Sequence, residues 1–394
     1  MDKGTNVGRA GSQQKKVVSI FLLIDALGWT YMKERSFMDK EAVVRMPVKS
    51  ILGFSSAAIP TILSGKMPQE HGFWSLFLRS EEGSPFKWSR SANSLLRFVP
   101  GRLARKVVEE VSRKYHGYTG YFETYKIPLK ELPNYDISER RSIYAPGGLE
   151  TAPSIFDLWE EANLPYESYC YKNGSDMELF KMGTAKLKEA KCRALFLYLS
   201  EIDAFLHKHC KDADAFSRKL AEYEGKVRDL LAVANEEYDE VRWFVFSDHG
   251  MTPTVETHDL MAEVAGLKLD EGKDYKAFYD STMARFWFMN EESRSVITKA
   301  LEKFRFGRWL TSADNSELGL CFKDNRYGDE VFIMNPGCII EPCYMGDIAP
   351  QGMHGFHPDD KYADASFFTN IADEYNPKLI TDFFEVMKKE TLGL

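Results

Sequence analysis

The stretch VVSIFLLID, residues 17–25, decides the fold. Apart from Ser19 it is apolar as far as Ile24, and it stops on an aspartate. Apolar side chains at every position, without alternation, mean a strand covered on both faces, as in a parallel sheet. Two later runs repeat the pattern: RALFLYLS (193–200) and VRWFVFS (241–247) predict strands at 194–199 and 241–246. Between them, residues 152–162 and 212–234 carry apolar side chains at helical spacing, and the APGG at 145–148 separates the first helix from what precedes it. Buried strands alternating with helices are the pattern of an α/β fold.

The chain has 394 residues, too many for one small module, which predicts one large domain with insertions, or two domains. With 51 basic and 59 acidic residues the net charge is −8, which argues against a nucleic-acid partner and leaves only local basic patches. The longest apolar run, 17–26, is well short of the roughly 20 residues that span a bilayer, so no transmembrane segment is expected. Residues 1–16 are polar, lack the apolar centre of a secretory signal, and read as a mobile arm on a cytoplasmic protein. The six cysteines form no CxxC pair, so reduced, mostly buried thiols are expected.

Two stretches interrupt the strand–helix alternation. The first, about 75–144, is aromatic and locally basic, with eight Lys or Arg against two Glu between Lys87 and Lys114. It reads either as a solvated helix face over 102–115 or as a collar that attracts an anionic substrate or makes peripheral contact with a membrane. The second, 255–350, predicts strands at 277–289 and 329–340 around a helix at 291–304, a small α+β cap. The catalytic core is then 17–254 plus 351–394.

Ligands of open α/β sheets bind beyond the carboxyl ends of the strands, and each of the three strands ends in metal-ligand chemistry. The first ends in Asp25, the second leads into Asp203 and His207, and the third into Asp248 and His249 of SDHGM. Asp203 and His207 share one face if the chain turns helical there. His354 projects from a loop between Gly352 and Gly355. Each piece alone is commonplace, as an N-cap, a surface pair or a loop histidine. Together, three Asp and three His match the needs of two zinc-like ions. In GFSSAAIPTILSGKMPQEHGFW (53–74), Ser55 and Ser56 precede a helix-like segment, where N–H groups and the positive dipole end favour a phosphoryl group and a metal activates a hydroxyl.

Asp25 after its strand, PTILSGKMPQEHG, DAFLH, SDHGM and MHGF together resemble the alkaline phosphatase superfamily, and are most similar to its type I phosphodiesterase/nucleotide pyrophosphatase branch. The resemblance implies an alkaline-phosphatase-like core, with a mostly parallel central sheet flanked by helices. It implies one metal ion held by Asp203, His207 and His354 and another by Asp25, Asp248 and His249, zinc with manganese as the alternative. The nucleophile is then the residue ten before the Gly of Ser64-Gly65, which is Ser55, with Ser56 a substitute; His71 fixes the loop rather than binding metal. Two departures matter. Ala58 stands where the nucleotide pyrophosphatases generally carry an Asn that donates to the phosphoryl oxygen, and Ala57 and Ile59 stand where sulfatases carry Pro and Arg.

In the cap, Arg285 of DSTMARFWF is either a bidentate phosphate contact or the partner of a cap carboxylate. Trp74, Phe77 and Trp88 either pack a core or stack on a base. The expected activity is metal-dependent hydrolysis of a phosphodiester or pyrophosphate in a small phosphate ester or nucleotide-like substrate. The alternatives are a phosphomonoesterase or phosphotransferase with the same site, and a catalytically silent binding protein, which has no physical need for all six ligands.

Overall fold

The computed structural model describes residues 15–80, 82–90, 101–372 and 374–393. Residues 1–14 of the expected arm, and 91–100 of the basic stretch, lie outside the described residues. Residues 15 and 16 are not part of an arm. Lys15 pairs with Glu240 at 2.6 Å, and the Lys16 N–H donates to the Asp239 carboxylate at 2.8 Å.

The central sheet has six strands: β1 (Val17–Ile24), β2 (Val44–Val48), β3 (Tyr166–Tyr169), β4 (Ala194–Leu199), β5 (Glu240–Phe246) and β6 (Ala365–Thr369). Their order is β2-β6-β5-β1-β4-β3, and β6 alone runs antiparallel to its neighbours. The three apolar runs are β1, β4 and β5, while the interior β6 and the two edge strands escaped the sequence pattern. β2 carries Pro47, tolerable only where a ladder N–H can be spared, and β3 is the polar YESY.

β1 is buried beyond Val17, and its side chains alternate between two cores. Phe21 and Leu23 pack with α1 (Ser55–Ser64), the helix Ile155–Glu161 and α5 (Asp382–Leu392). Val18, Ile20, Leu22 and Ile24 pack with α2 (Asp176–Lys188) and α4 (Ala213–Glu237) on the other face. The result is a mixed α/β fold with helices on both faces of a mostly parallel sheet. Register aligns the carboxyl ends: Ile24 lies beside Leu199, and Leu23 beside Phe246. The residues that follow these strands therefore emerge at one edge of the sheet.

A separate antiparallel sheet runs in the order Tyr275–Tyr279, Met283–Phe288, Glu330–Met334, Gly307–Trp309, with the helix Glu291–Glu302 in sequence between its strands. Both strands expected here are broken in two. Residues 280–282 reverse the chain within 277–289, and Asn335-Pro336-Gly337, with Gly337 at φ +86°, turns it within 329–340. The second half, Cys338–Ile340, leaves the sheet and pairs with Glu256–His258. The two interrupting stretches share one apolar core, in which Phe77, Phe86 and Tyr135 meet Phe278, Phe286 and Trp287. The helix Gly101–His116 turns Ala104, Val108 and Ser112 inward and leaves Leu103, Val107, Val111 and Tyr115 exposed among its charges. No helix among the described residues is long and apolar enough to cross a membrane.

Candidate metal centre and nucleophile

Ser55 is the first residue of α1, whose N-cap is Phe54. The first N–H groups of a helix have no acceptor within it, so those of Ser55 and Ser56 stay free to face an anion. The entry requires Gly53: φ is +140°, and a Cβ there would sit 2.9 Å from that of Ala57. At the far end, Gly65 adopts φ +67° and closes the helix. Ser55 Oγ lies 3.0 Å from His249 Nε2 and 3.4 Å from Asp25 Oδ2.

Each carboxylate around it has one oxygen anchored and one bare. Asp248 Oδ1 accepts the N–H groups of Ala26 and His249, and Asp25 Oδ2 accepts the Tyr198 hydroxyl. Asp25 Oδ1, Asp248 Oδ2, Asp203 Oδ1 and His354 Nδ1 are buried without a hydrogen-bond partner. Ligand atoms of Asp25, Asp248 and His249 lie within 4.8 Å of one another, as do those of Asp203, His249 and His354. Orphaned buried oxygens beside imidazole nitrogens are what a bound cation satisfies, and this oxygen and nitrogen donor set suits zinc or manganese.

α3 (Glu201–His209) carries Asp203 and His207 one turn apart, with His207 Nε2 3.3 Å from Asp203 Oδ2. His207 Nδ1 and His249 Nδ1 lie 2.8 and 3.0 Å from the carbonyls of Gly352 and Gly250. A carbonyl only accepts, so Nδ1 carries a proton in each ring and Nε2 faces the site, where its own proton would give way to a metal ion. The His249 and His354 rings stack at 3.8 Å, which puts His249 at the junction of the two groups. Gly355, at φ +87°, clears the Phe54 ring that packs on His354.

The electrostatics describe a site short of positive charge. Burial, with the carboxylates of Asp248 and Asp203 nearby, pushes the Asp25 carboxyl well above its ordinary range. Burial also opposes ionisation of Asp203, but His207 beside it outweighs that and holds the carboxyl low. Burial and then the neighbouring His249 keep His354 well below the usual imidazole range.

A family model of type I phosphodiesterase/nucleotide pyrophosphatase matches residues 19–357. The chain belongs to this family. It is therefore a phosphoric ester hydrolase of the phosphodiesterase/pyrophosphatase type. A search of curated proteins finds no match. Among solved structures, human ectonucleotide pyrophosphatase/phosphodiesterase 5 is similar over 95% of this chain and 94% of its own, with TM-score 0.67 and 13% identity. Its murine counterpart, inactive and in complex with AMP, gives 0.66 and 16% over 96% and 95%. Phosphonoacetate hydrolase from Sinorhizobium meliloti 1021, in complex with phosphonoacetate, gives 0.63 and 14% over 95% and 96%. At these identities the structures show a shared fold.

In this phosphodiesterase-family protein Arg285 is not a substrate contact. It is fully buried: Nε bonds Asp280 at 2.9 Å, Nη1 the Phe77 carbonyl at 2.8 Å and Nη2 Ser75 Oγ at 3.1 Å. With all its donor nitrogens engaged inside the lobe, it pairs with the cap carboxylate instead. Trp74 and Phe77 are core residues, and the Trp88 Nε1–H donates to Ser112. His71 is bonded between Thr61 Oγ1 and the Phe73 N–H. Four cysteines are buried, Cys338 is half-buried and Cys321 is exposed; none is bridged.

Two site residues escaped the sequence reading. Tyr198, in register beside Leu23, delivers its hydroxyl to Asp25; the signal was a lone hydroxyl one residue before the end of an apolar strand. Asp176 accepts the N–H groups of Ser200 and Glu201 and the Tyr223 hydroxyl, and so fixes the first turn of α3, which carries Asp203. It is a long-range contact with no local sequence signal.

Proposed function

We propose that the protein is a metal-dependent phosphodiesterase with Ser55 as nucleophile and two divalent ions as cofactors. The observation that carries this is the position of Ser55 Oγ, 3.0 Å from His249 Nε2 at a helix N-terminus, beside carboxylate oxygens that lack partners. Asp25, Asp248 and His249 would hold one ion, and Asp203, His207 and His354 the other, zinc in our reading with manganese the alternative. When bound, the ions supply Lewis-acid charge that lowers the pKa of a hydroxyl or water and stabilises developing negative charge. Ser55 attacks phosphorus: its Oγ–P bond forms as the bond to one alcohol breaks, and water then cleaves the phosphoseryl ester to release a phosphomonoester. The N–H groups of Ser55 and Ser56 take the place of the Asn donor replaced by buried Ala58. Six free thiols support a reducing compartment, the cytoplasm.

The test is turnover of bis(p-nitrophenyl) phosphate against p-nitrophenyl phosphate by metal-free protein reconstituted with zinc or manganese. Metal-dependent preference for the diester is expected. A preference for the monoester would overturn the diesterase reading, and silence with both sites loaded would overturn catalysis through Ser55.

A further inference from the structure

The metal centre occupies one end of a cleft of about 620 Å³, and the rest of that cleft has an unusual lining for an enzyme acting on phosphates. Among the described residues that line it there is no lysine or arginine. One wall is a train of tyrosine rings that starts at the metal end. Tyr198, bonded to Asp25, stacks on Tyr144 at 5.0 Å; Tyr144 meets Tyr171 edge-on at 6.1 Å, and Tyr171 meets Tyr121 at 5.7 Å. The rest of the lining includes the apolar side chains of Ile340, Met345, Ile348 and Met353.

Set into the tyrosine wall is Glu139, only 7% exposed. It accepts the Tyr121 N–H at 3.0 Å, and no cation lies within ion-pair distance of it among the described residues. Lys172 is the nearest cation: its ammonium donates to the Thr119 carbonyl and stands 5.8 Å from the centre of the Tyr171 ring, where its charge favours the ionised carboxylate without forming an ion pair with it. The carboxylate faces the rings closely enough that, after burial, its charge is the next largest influence raising both the Tyr144 and the Tyr171 hydroxyls. Burial pushes Glu139 itself up to about 7, so a cation arriving beside it would restore its charge. Tyrosine faces around a buried, unpaired carboxylate attract ammonium groups and repel anions.

We propose that this wall is a cation subsite, and that the diester taken by the enzyme carries an ammonium group, quaternary or primary, on one of its alcohols. The inference rests on the phosphodiesterase reading above. The metal end accepts the phosphoryl anion, while a second phosphate would meet Glu139 with no lysine or arginine to receive it. A zwitterionic diester fits both ends.

The experiment compares p-nitrophenylphosphocholine with thymidine 5′-(p-nitrophenyl phosphate) on the full-length, zinc-loaded protein. A kcat/KM ratio of about tenfold or more in favour of the choline ester is expected, with Glu139→Gln and Tyr171→Ala each lowering that ratio about tenfold, mainly through KM. Preference for the thymidine ester, or an unchanged ratio in both variants, overturns the cation subsite and leaves the diesterase reading intact. If neither ester is turned over, the diesterase reading fails, and calorimetry with p-nitrophenylphosphocholine decides the subsite. Binding that weakens about tenfold in Glu139→Gln supports it, and binding equal in the two proteins overturns it.

Discussion

The two ends of the cleft are built by different means. The proposed metal end is assembled from the termini of β1, β4 and β5, whose register sets where Asp25, Asp203 and Asp248 emerge. The wall facing the substrate comes largely from connecting segments outside the central sheet: Tyr121 and Glu139 before β3, and Ile340 to Met353 after the cap strands. A sheet edge fixes atoms for chemistry, whereas segments off the sheet can change lining without moving them.

The largest effect should come from the metal end. Ser55→Ala is expected to lower turnover of bis(p-nitrophenyl) phosphate roughly 10³-fold or more while metal content measured by mass spectrometry stays at the wild-type level. Retained turnover would remove Ser55 from the chemistry. In the lobe, Asp280→Ala strands the buried Arg285 guanidinium and should cost about 3–5 kcal/mol in urea unfolding, with the Asp280→Ala/Arg285→Met pair recovering much of the loss. A loss under about 1 kcal/mol would mean that the lobe relaxes around the charge, as the sheet end cannot.

Tyr198→Phe sharpens the comparison, because it removes only the hydroxyl that orients Asp25. An activity titration in chelator-buffered zinc should show a loss of roughly 10–100-fold in metal affinity or rate. No change would make Tyr198 part of the wall alone. The smallest effect concerns acid. Burial holds the His71 imidazole at about 3, so between pH 6.5 and 3 the unfolded chain binds a proton that the native state refuses, and stability falls as pH falls. At pH 5 that amounts to roughly 2 kcal/mol, and His71→Gln should flatten the slope of urea stability against pH in that window by up to one proton. An unchanged slope would mean that His71 protonates in the native state.

The candidate ligands were legible in the sequence because their signals are local. Asp25 follows an apolar strand directly, Asp248 and His249 follow another after Ser247, and Asp203 and His207, spaced to share one face if the chain turned helical, sit one turn apart in a helix. Gly355 marked the bend that presents His354. The edge strands were missed because β2 and β3 are buried less completely and carry Pro47 and Glu167, which obscure a strand pattern. The cap strands were too long in the reading because the turn at Asp280-Ser281-Thr282 carries no Gly, Pro or Asn, and a short polar interruption between two apolar runs does not by itself register a reversal.

By itself, then, the sequence determined the α/β class, the strands β1, β4 and β5, the six candidate ligands and the choice of Ser55 through resemblance, since each depends on residue type and near neighbours along the chain. Tertiary structure alone decided the rest: that Arg285 is spent on Asp280, that Tyr198 orients Asp25, that His249 stands at the junction of both ligand groups, and that Glu139 shares a cleft with five tyrosines and no lysine or arginine among the described residues. These are pairings between residues mostly tens to hundreds of positions apart, set by sheet register and by the packing of two distant segments into one core, and no local pattern encodes them.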